Sequence, residues 1–427
     1  MNHVARLVRE HFAGSAEVLK IGDLPVTAIA SRYGTPSFVY DRGIMTKRVS
    51  QLRAVLRDEI AIYYSAKANP HRSVVAHFVR LGCGVEIASK GEYLRALEAR
   101  CDPRKIVFAG PGKSEAEIEL VLAKGIGELH IESLTELDRI SRISRRLGLR
   151  ASVAVRINPT AEAQGGAMRM GGKPSQFGVD EEGAEAVVAR VLECGDVDFT
   201  GIHLFTGTQI LDPAILLTQY RKAVGIARGL AAHFRRPMKT IDFGGGLGVP
   251  YFPHEQELDV AALSKGLDEL VREVRADPWL SGARLIVEPG RFLVGEAGIY
   301  VMAVSDIKIS RGKKFVIVDG GMHHHLAASG NLGQTIKRNY PVALLNRLTE
   351  PPCEKVDVVG PLCTPLDTLA RDIDLPEARI GDLVGIFQSG AYGLTASPTQ
   401  FLSHPPPNEI VVEQGRIIDD PALPVGG

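Results

Sequence analysis

The 427-residue sequence has few of the features that mark secreted, membrane-bound or nucleic-acid-binding proteins. Lysine plus arginine equal aspartate plus glutamate, at 50 each, so no net charge favours nucleic acid or an anionic membrane as a partner. No apolar run approaches the roughly 20 residues that cross a bilayer, and the first residues, MNHVARLVREHF, lack a signal-peptide core. The five cysteines are scattered and have no zinc spacing, which favours reduced thiols in a cytoplasm over disulfides. We therefore expect a soluble cytoplasmic enzyme.

A short apolar strand, a turn and a helical stretch recur through the middle of the sequence. The predicted strands are Ala61–Lys67, Val85–Ala88, Lys105–Ala109, Glu128–Glu132, Ala151–Ile157, Phe199–Leu204, Lys239–Phe243 and Arg284–Glu288. The amphipathic stretches between them include Lys90–Arg100, Ser114–Ala123, Leu134–Leu147 and Ala214–Phe234. Eight such units over roughly 230 residues predict an α/β fold of the (β/α)8 TIM-barrel type, with an open doubly wound sheet as the alternative.

The two ends of the chain depart from this rhythm and are typical of strands and turns. The predicted strands here are Ser37–Tyr40, Ile299–Ile309, Phe315–Asp319, Glu354–Val359, Asp382–Phe387 and Glu409–Gln414. We expect a C-terminal β domain that includes the N-terminal segment. The expected limits are 1–40 for the N-terminal segment, 41–291 for the barrel and 292–427 for the C-terminal part.

Candidate catalytic residues stand where the predicted strands end, because that is the catalytic end of a barrel. The first strand ends in YYSAKANP, with Lys67 at its carboxyl end. Burial there would lower the pKa of the amine, and a neutral amine is needed to form a Schiff base. The alternative is a lysine whose ammonium reaches solvent. Glu162–Pro174, rich in Gly and Met, is expected to be a mobile loop over the same end.

The last two barrel strands end in residues that suit an anion and a cation. Gly244, Gly245 and Gly246 follow the seventh strand, and successive backbone N–H groups there can bind a phosphate, although a tight turn is the alternative. Glu288 and Arg291 follow the eighth strand and could serve a cationic ring nitrogen and a phosphate, or form an ordinary salt bridge. Together with Lys67 they predict a site for pyridoxal 5′-phosphate (PLP).

Six ordered motifs resemble the fold-type III PLP-dependent decarboxylases of diaminopimelate, ornithine and arginine, whose barrel is similar to that of alanine racemase. The resemblance runs through nearly the whole chain. The motifs are Tyr64–Asn69, Gly84–Ser89, Gly244–Gly246, Glu288–Arg291, Gly360–Cys363 and Gly390–Tyr392.

The resemblance implies a role for each matching residue. Lys67 would carry PLP as a Schiff base, Glu288 would keep the ring nitrogen protonated, and Cys363 would reach the partner subunit's active site to protonate Cα. Gly245, Gly246, Arg291 and Tyr392 would contact the phosphate, and Thr208 would lie near it. Gly244 and Gly290, in the same motifs, would also bind the cofactor. The family pattern thus implies a homodimer with composite sites. A racemase on the same barrel is the alternative reaction, although racemases place an arginine where Glu288 stands.

Three departures from the family pattern concern the substrate. Thr364 follows Cys363 where relatives place an acid for a distal amine, and Gly321–Ala327 replaces a segment that holds a carboxylate-binding arginine in diaminopimelate enzymes. Phe205 stands where a histidine usually stacks on the cofactor, and phenylalanine can still stack. In GMHHHLA, we expect His324 and His325 near the substrate entrance. We expect no metal site, because adjacent histidines alternate faces on a strand.

The stretches Asp319–Pro341, Gly360–Asp367 and Ser389–His404 resemble a subgroup associated with exosortase clusters, and decarboxylases of amino acids tethered to an acyl-carrier protein. The function expected is therefore PLP-dependent decarboxylation of an amino acid or a carrier-bound derivative. The alternative is diaminopimelate decarboxylation in lysine biosynthesis. Lys173, Lys337 and Arg338 are candidates for contact with an acidic carrier.

Overall fold

The computed structural model describes residues 3–12, 17–160, 168–169, 174–332, 334 and 337–419. The chain divides into two compact units. Unit 1 comprises Met1–Arg48, Pro250–Gln256 and Arg291–Gly427, and unit 2 comprises Val49–Val249 and Glu257–Gly290. The domain limits expected from the sequence stay predictions. None of the described helices is long and apolar enough to cross a membrane.

Unit 2 contains a closed barrel of parallel strands, as the alternating pattern predicts. The strands are β1 Ile60–Ser65, β2 Gly84–Ile87, β3 Ile106–Phe108, β4 Glu128–Ile131, β5 Ala151–Asn158, β6 Val197–Leu204, β7 Thr240–Asp242 and β8 Arg284–Val287. The following helices are α1 Arg72–Arg80, α2 Lys90–Glu98, α3 Glu115–Ala123, α4 Leu134–Leu147, α5 Ala184–Glu193, α6 Pro213–Phe234 and α7 Val260–Ala276. Leu285 of β8 pairs with Ile60 of β1, which closes the barrel and excludes the open sheet.

Local sequence signals set where several barrel helices begin. The hydroxyl groups of Ser89 and Ser133 accept the third backbone N–H of α2 and α4, and Ser114 forms a full capping box with Glu117 at the start of α3. Gly148 ends α4 in the left-handed conformation. These caps set the ends of α2, α3 and α4. The strands β2 and β3 are buried throughout.

Unit 1 is built around a β-sheet that uses both ends of the chain, as expected. Its main path runs through Thr368–Leu375, Glu354–Val359, Lys313–Val318, Gly298–Ser310, Ser37–Asp41, Asn408–Glu413 and Arg416–Asp419. Leu383–Ile386 branches from Gly298–Ser310 and pairs with Val342–Leu344. Ser37–Asp41 is antiparallel to Gly298–Ser310 and parallel to Asn408–Glu413, so the N-terminal segment belongs to this β domain.

The remaining described elements are short or connect the two regions. The helices are His3–His11, Val26–Tyr33, Arg42–Leu56 and Arg291–Val294. The 3-10 turns are Ala66–Ala68, Pro103–Lys105, Glu181–Gly183, Gly295–Ala297, Leu394–Ala396 and Phe401–Ser403. The two-residue strands are Lys20–Ile21, Leu24–Pro25, Met168–Arg169, Val179–Asp180 and Gly207–Thr208. Apart from Met168–Arg169 and Pro174, the predicted loop Glu162–Pro174 lies outside the described residues.

Candidate active site

Lys67 borders a cavity of about 330 Å³ within unit 2. Strand β1 ends at Ser65 and Lys67 lies in the 3-10 turn Ala66–Ala68, so its expected position on the strand is wrong. Its side chain is 42% exposed, so its expected burial is also wrong. Lys67 instead forms an ion pair with Glu86, which is buried on β2. Both carboxylate oxygens of Glu86 lie 3.0 Å from Nζ of Lys67. The cavity wall includes Lys67, Glu86, Phe177, His203, Phe205 and Glu288.

Glu288 places a buried carboxylate at the end of β8. Its Oε2 lies 3.4 Å from Nε2 of His203 on β6, and its buried Oε1 has no hydrogen-bond partner in the described part of the chain. Burial, reinforced by the neighbouring His130, lowers the pKa of His203 well below its usual value, so its ring is neutral. Glu288 is therefore an acid with one oxygen available to a donor in the cavity.

The ring of Phe205 contributes an apolar face beside the same amine. It follows β6 directly, and its centroid lies 5.8 Å from Nζ of Lys67. A ring at this distance can pack against a planar ligand that the lysine holds. The structure thus brings together three of the predicted residues, Lys67, Phe205 and Glu288, on one cavity wall.

The glycine run after β7 forms a turn that larger residues could not form. Gly244 and Gly246 have φ values of 68° and 107°, which favour glycine. A Cβ on Gly245 would lie 2.6 Å from the Glu288 carbonyl oxygen. The N–H of Gly244 already donates to Asp242 Oδ1 at 2.8 Å, and its carbonyl accepts the Glu288 N–H at 2.8 Å. Gly244 therefore secures the turn internally, and the phosphate role predicted for it stays a prediction.

Thr208 and Gly290, two further predicted residues, also lie in unit 2. Ile210, close to Thr208 in the chain, donates its N–H to the Gly246 carbonyl at 2.9 Å, which joins this segment to the glycine turn. A Cβ on Gly290 would lie 2.8 Å from Cβ of Ala68. Glycine at this position therefore allows the turn after β8 to pack against the turn that carries the lysine.

In unit 1, Arg291 lies among tyrosines. Its NH1 donates to the Tyr251 hydroxyl at 3.1 Å, and its guanidinium carbon lies 4.6 Å from the ring centroid of Tyr392. The buried Nε has no hydrogen-bond partner within the described ranges. Burial alone would lower the Arg291 pKa, but the surrounding tyrosines raise it, so the guanidinium stays charged and keeps a donor available to an anion.

Cys363 lies in a loop of unit 1 that one buried carboxylate secures. Asp367 accepts the N–H of Met322 at 2.6 Å and the N–H of Leu362 at 2.9 Å. Within the loop, the Thr364 hydroxyl accepts the N–H of Leu366 at 3.3 Å. The thiol-bearing residue itself is exposed. The loop therefore presents Cys363 at the surface of unit 1 while its base is held in place.

Of the three consecutive histidines, His323 and His324 lie in a turn and His325 follows it directly, so none is on a strand and the expected alternation of faces does not apply. All three are buried. His325 Nε2 lies 3.0 Å from the Ser389 hydroxyl, and His324 Nδ1 lies 3.0 Å from the Tyr300 hydroxyl. Both predicted substrate residues therefore have partners within unit 1, and their role toward substrate stays a prediction.

Ionisable side chains fill part of the barrel interior, where aliphatic residues usually dominate. This barrel cluster consists of Glu128 and His130 on β4, His203 on β6, Asp242 on β7, and Glu288. Glu128 lies 3.0 Å from the His130 Nε2, and the rings of His130 and His203 are 4.5 Å apart. One nitrogen or oxygen atom each of His130, His203 and Glu288 lies within 4.8 Å of the other two, close enough for a metal, whereas no metal site was expected from the sequence.

A larger cavity of about 450 Å³ lies in unit 1, between the helix His3–His11 and the strand Val342–Leu344. The described residues that line it include no lysine, cysteine or histidine. The chemistry therefore favours the smaller cavity beside Lys67 as the candidate active site.

Comparison with known proteins decides the family. Residues 42–295 match the pyridoxal-binding domain of the pyridoxal-dependent decarboxylases. The L-glutamyl-[BtrI acyl-carrier protein] decarboxylase of Niallia circulans is 38% identical and covers 93% of each chain. The diaminopimelate decarboxylase of Aquifex aeolicus (strain VF5) is 32% identical over 93% of this chain and 91% of its own. The chain belongs to the pyridoxal-dependent decarboxylases.

A solved structure gives the same assignment. Diaminopimelate decarboxylase from Helicobacter pylori, complexed with L-lysine, superposes with a TM-score of 0.82 at 31% identity and covers 92% of this chain and 95% of that one. The resemblance found in the sequence motifs is thus confirmed: this decarboxylase is a carboxy-lyase that uses PLP.

The described residues fit PLP. The unpartnered Oε1 of Glu288 suits a protonated ring nitrogen, and the turn at Gly245 leaves no room for a side chain beside the backbone. In unit 1, the partly unsatisfied guanidinium of Arg291 suits a phosphate. The Glu288 oxygen therefore suits the cationic ring of the cofactor, and the Gly245 turn and Arg291 each suit an anion.

Sequence reasoning gave no role to several of these residues. Glu86 lies in a quoted motif, but its contact with Lys67 was not foreseen. The members of the barrel cluster other than Glu288 were also missed, although Glu128 and His130, two residues apart on a strand, had to face the same side. Lys173 lies outside the described residues.

Proposed function

We propose that this decarboxylase removes the α-carboxylate of an amino acid held on an acyl-carrier protein, with Lys67 and Cys363 as its catalytic residues. The observation that carries the chemistry is the cavity wall on which Lys67, Phe205 and Glu288 stand together. PLP, when bound, supplies an electron sink for the electrons released as carbon dioxide leaves.

The protein's own residues have separate tasks in this proposal. Lys67 would hold the cofactor through Nζ, Phe205 would pack on its ring, and Glu288 would keep the ring nitrogen protonated through Oε1. Gly245 and Gly246 would bind the phosphate through backbone N–H groups.

Two residues of unit 1 are also assigned to a phosphate by the family resemblance. Arg291 and Tyr392 would contact this anion, and the hydrogen bond from Arg291 to Tyr251 orients the guanidinium.

Glu86 would act on the amine of Lys67. Its two oxygens at 3.0 Å fix the direction of Nζ, and its negative charge favours the protonated amine whenever the amine is released. The Ser65 hydroxyl donates to Glu86 at 2.5 Å, which holds the carboxylate in this orientation. Glu86 is thus a positioning residue that also favours the proton on Nζ of the released amine.

Cys363 would return a proton to Cα from the partner subunit of a homodimer. Its exposure on unit 1 supports this, as does Leu366 on the same loop, which is 49% exposed. Asn331 donates to the Leu366 carbonyl at 3.3 Å, which brings the exposed Leu332 to the same region. An exposed thiol beside exposed leucines suits a surface that a second subunit covers.

Complementation between inactive variants tests the dimer. Lys67→Ala and Cys363→Ser should each be inactive, whereas a refolded mixture should recover roughly one quarter of wild-type activity, because mixed dimers keep one intact site. A mixture without activity, with dimers present, would contradict a composite site. The five free cysteines support a cytoplasmic location for the dimer.

The carrier-bound substrate rests on the name of the Niallia relative and on two features of this chain. Thr364, with a hydroxyl, stands next to Cys363, so no acid at this position attracts a distal amine. Lys337 and Arg338 are exposed and bond to the neutral Asn331 and to His254, which leaves their charge for an acidic carrier.

A decarboxylation assay tests the substrate. Purified enzyme with PLP should release carbon dioxide from glutamyl-loaded carrier and not from free amino acids. Charge reversal in Lys337→Glu/Arg338→Glu should raise KM for the carrier substrate, whereas reversal of the exposed Lys308 and Arg416 should not. The second candidate function is diaminopimelate decarboxylation, which the 32% identical relatives favour. Rapid release of carbon dioxide from free diaminopimelate would support it instead.

A further inference from the structure

Asp242 is a fully buried carboxyl group that the proposed chemistry does not use. It lies at the end of β7, in register with His203 on β6, and its side chain shares the barrel cluster with Glu288. Two acids so close and so deeply buried cannot both carry a charge at low cost. One of the two acids is therefore expected to hold a proton.

The buried oxygens of Asp242 and Glu288 that lack a donor indicate that one proton lies between the two acids. Oδ1 of Asp242 accepts the Gly244 N–H at 2.8 Å, whereas the buried Oδ2 has no described partner. Oε1 of Glu288 is equally without a donor. A proton on Asp242 would satisfy Oδ2 and occupy one lone pair of Glu288 Oε1, which leaves the second lone pair of Oε1 for the ring nitrogen of PLP. Burial together with the Glu288 charge raises the pKa of Asp242 well above its usual value.

The other members of the barrel cluster cannot take over this task. Nε2 of His130 lies 4.0 Å from Asp242 Oδ2, beyond hydrogen-bond distance, and lies 3.0 Å from Glu128 instead. His203 reaches Glu288 through the other oxygen, Oε2, at 3.4 Å. A neutral Asp242 therefore leaves Glu288 as the one anion that faces the cavity from this pair.

We propose that Asp242 is a positioning residue for PLP: as a neutral acid it donates its proton to Glu288 and accepts the Gly244 N–H, which ties the ring-nitrogen acid to the phosphate-binding turn. The inference rests on the proposed placement of PLP at Lys67 and Glu288. A second tie runs in parallel, because the Glu288 N–H donates to the Gly244 carbonyl at 2.8 Å. The two ends of the cofactor site would thus move together.

Two variants separate a neutral acid from a second anion. Asp242→Asn keeps a donor for Glu288 and an acceptor for Gly244 but cannot be charged, whereas Asp242→Leu has a similar size and neither group. We expect Asp242→Asn to bind PLP within about threefold of wild type. Asp242→Leu should bind roughly tenfold to a hundredfold more weakly, with less of the long-wavelength absorbance of bound PLP. Thr240→Val, on the same strand and bonded to Glu128, is the control and should bind normally.

The measurement is titration of the apo form of the full chain with PLP, followed by absorbance. Equal loss in both Asp242 variants would overturn the proposal, because the charge would then matter, and normal binding by the leucine variant would overturn it too. If Asp242→Leu does not fold, infrared difference spectra of wild type against Asp242→Asn remain: a protonated carboxyl band at neutral pH supports the proposal, and its absence refutes it. Wild-type enzyme that binds PLP through Lys67 but releases no carbon dioxide would contradict the proposed function alone.

Discussion

Both carboxylate oxygens of Glu86 lie 3.0 Å from the amine of Lys67, although the two residues belong to different strand–helix units. The register of the barrel explains the contact, because Ser65 at the end of β1 pairs with Glu86 on β2. Lys67 follows two residues later in a 3-10 turn that directs it toward the same carboxylate. The barrel strands therefore determine the position of the amine as much as the lysine's own turn does.

Removal of the Glu86 charge should slow the enzyme without removing the cofactor site. Glu86→Gln keeps the size of the side chain but loses its control over the proton on Lys67, and we expect a fall in kcat of about tenfold or more. Glu98→Gln is a matched control, because Glu98 is exposed on α2, pairs with Arg95 at 3.2 Å and does not line the cavity. Equal losses in both variants, measured as carbon dioxide release at saturating PLP, would show that the contact with Lys67 is not the cause.

A methyl group at the centre of the glycine turn should weaken PLP binding. In Gly245→Ala, the new Cβ would lie 2.6 Å from the carbonyl oxygen of Glu288, so the turn has to move away from the ring-nitrogen acid. We expect the PLP dissociation constant to rise by roughly tenfold or more. Gly225→Ala, on the exposed face of α6 with open space around it, should bind PLP normally and gain about 0.5–1 kcal/mol of stability. Titration of both apo variants with PLP measures the dissociation constants, and urea unfolding measures the stabilities.

Release of the Cys363 loop should lower activity while PLP binding stays intact. Asp367→Ala removes the acceptor for the N–H groups of Met322 and Leu362, at a cost of about 1–3 kcal/mol in the free energy of unfolding. We expect kcat to fall at least severalfold, because the thiol loses its fixed direction. The matched variant is Asp357→Ala, since Asp357 is also buried in unit 1 and accepts the N–H of Asp372. It should lose similar stability but keep kcat, and a similar loss of kcat in both variants would remove the special role of the loop.

The sequence predicts the barrel well because its strands are apolar runs bounded by breakers, as in Ala151–Asn158. A strand that mixes charged residues with apolar ones, such as Thr368–Leu375, was not predicted. Individual site residues could be predicted because each motif is local. Contacts such as Glu86 with Lys67, or Tyr251 with Arg291, depend on strand register and on segments 40 residues apart in the chain, which no local pattern encodes.

Acid should destabilise the protein through its buried histidines, and His325 offers the sharpest test. Burial lowers the pKa of His325 from 6.5 to about 3, so the unfolded chain binds a proton that the folded chain refuses. Its contribution to stability is fully present above the unfolded pKa and is lost as the pH falls through the window between the two values. Between pH 7 and pH 5 the predicted loss is about 2 kcal/mol. His325→Gln cannot titrate, so the difference in its unfolding free energy between pH 7 and pH 5 should be smaller than that of wild type by this amount. His233→Gln, at an exposed histidine of α6, should keep the wild-type difference. Urea unfolding of the three proteins at both pH values gives the comparison, and identical differences in all three would mean that His325 titrates normally in the folded protein.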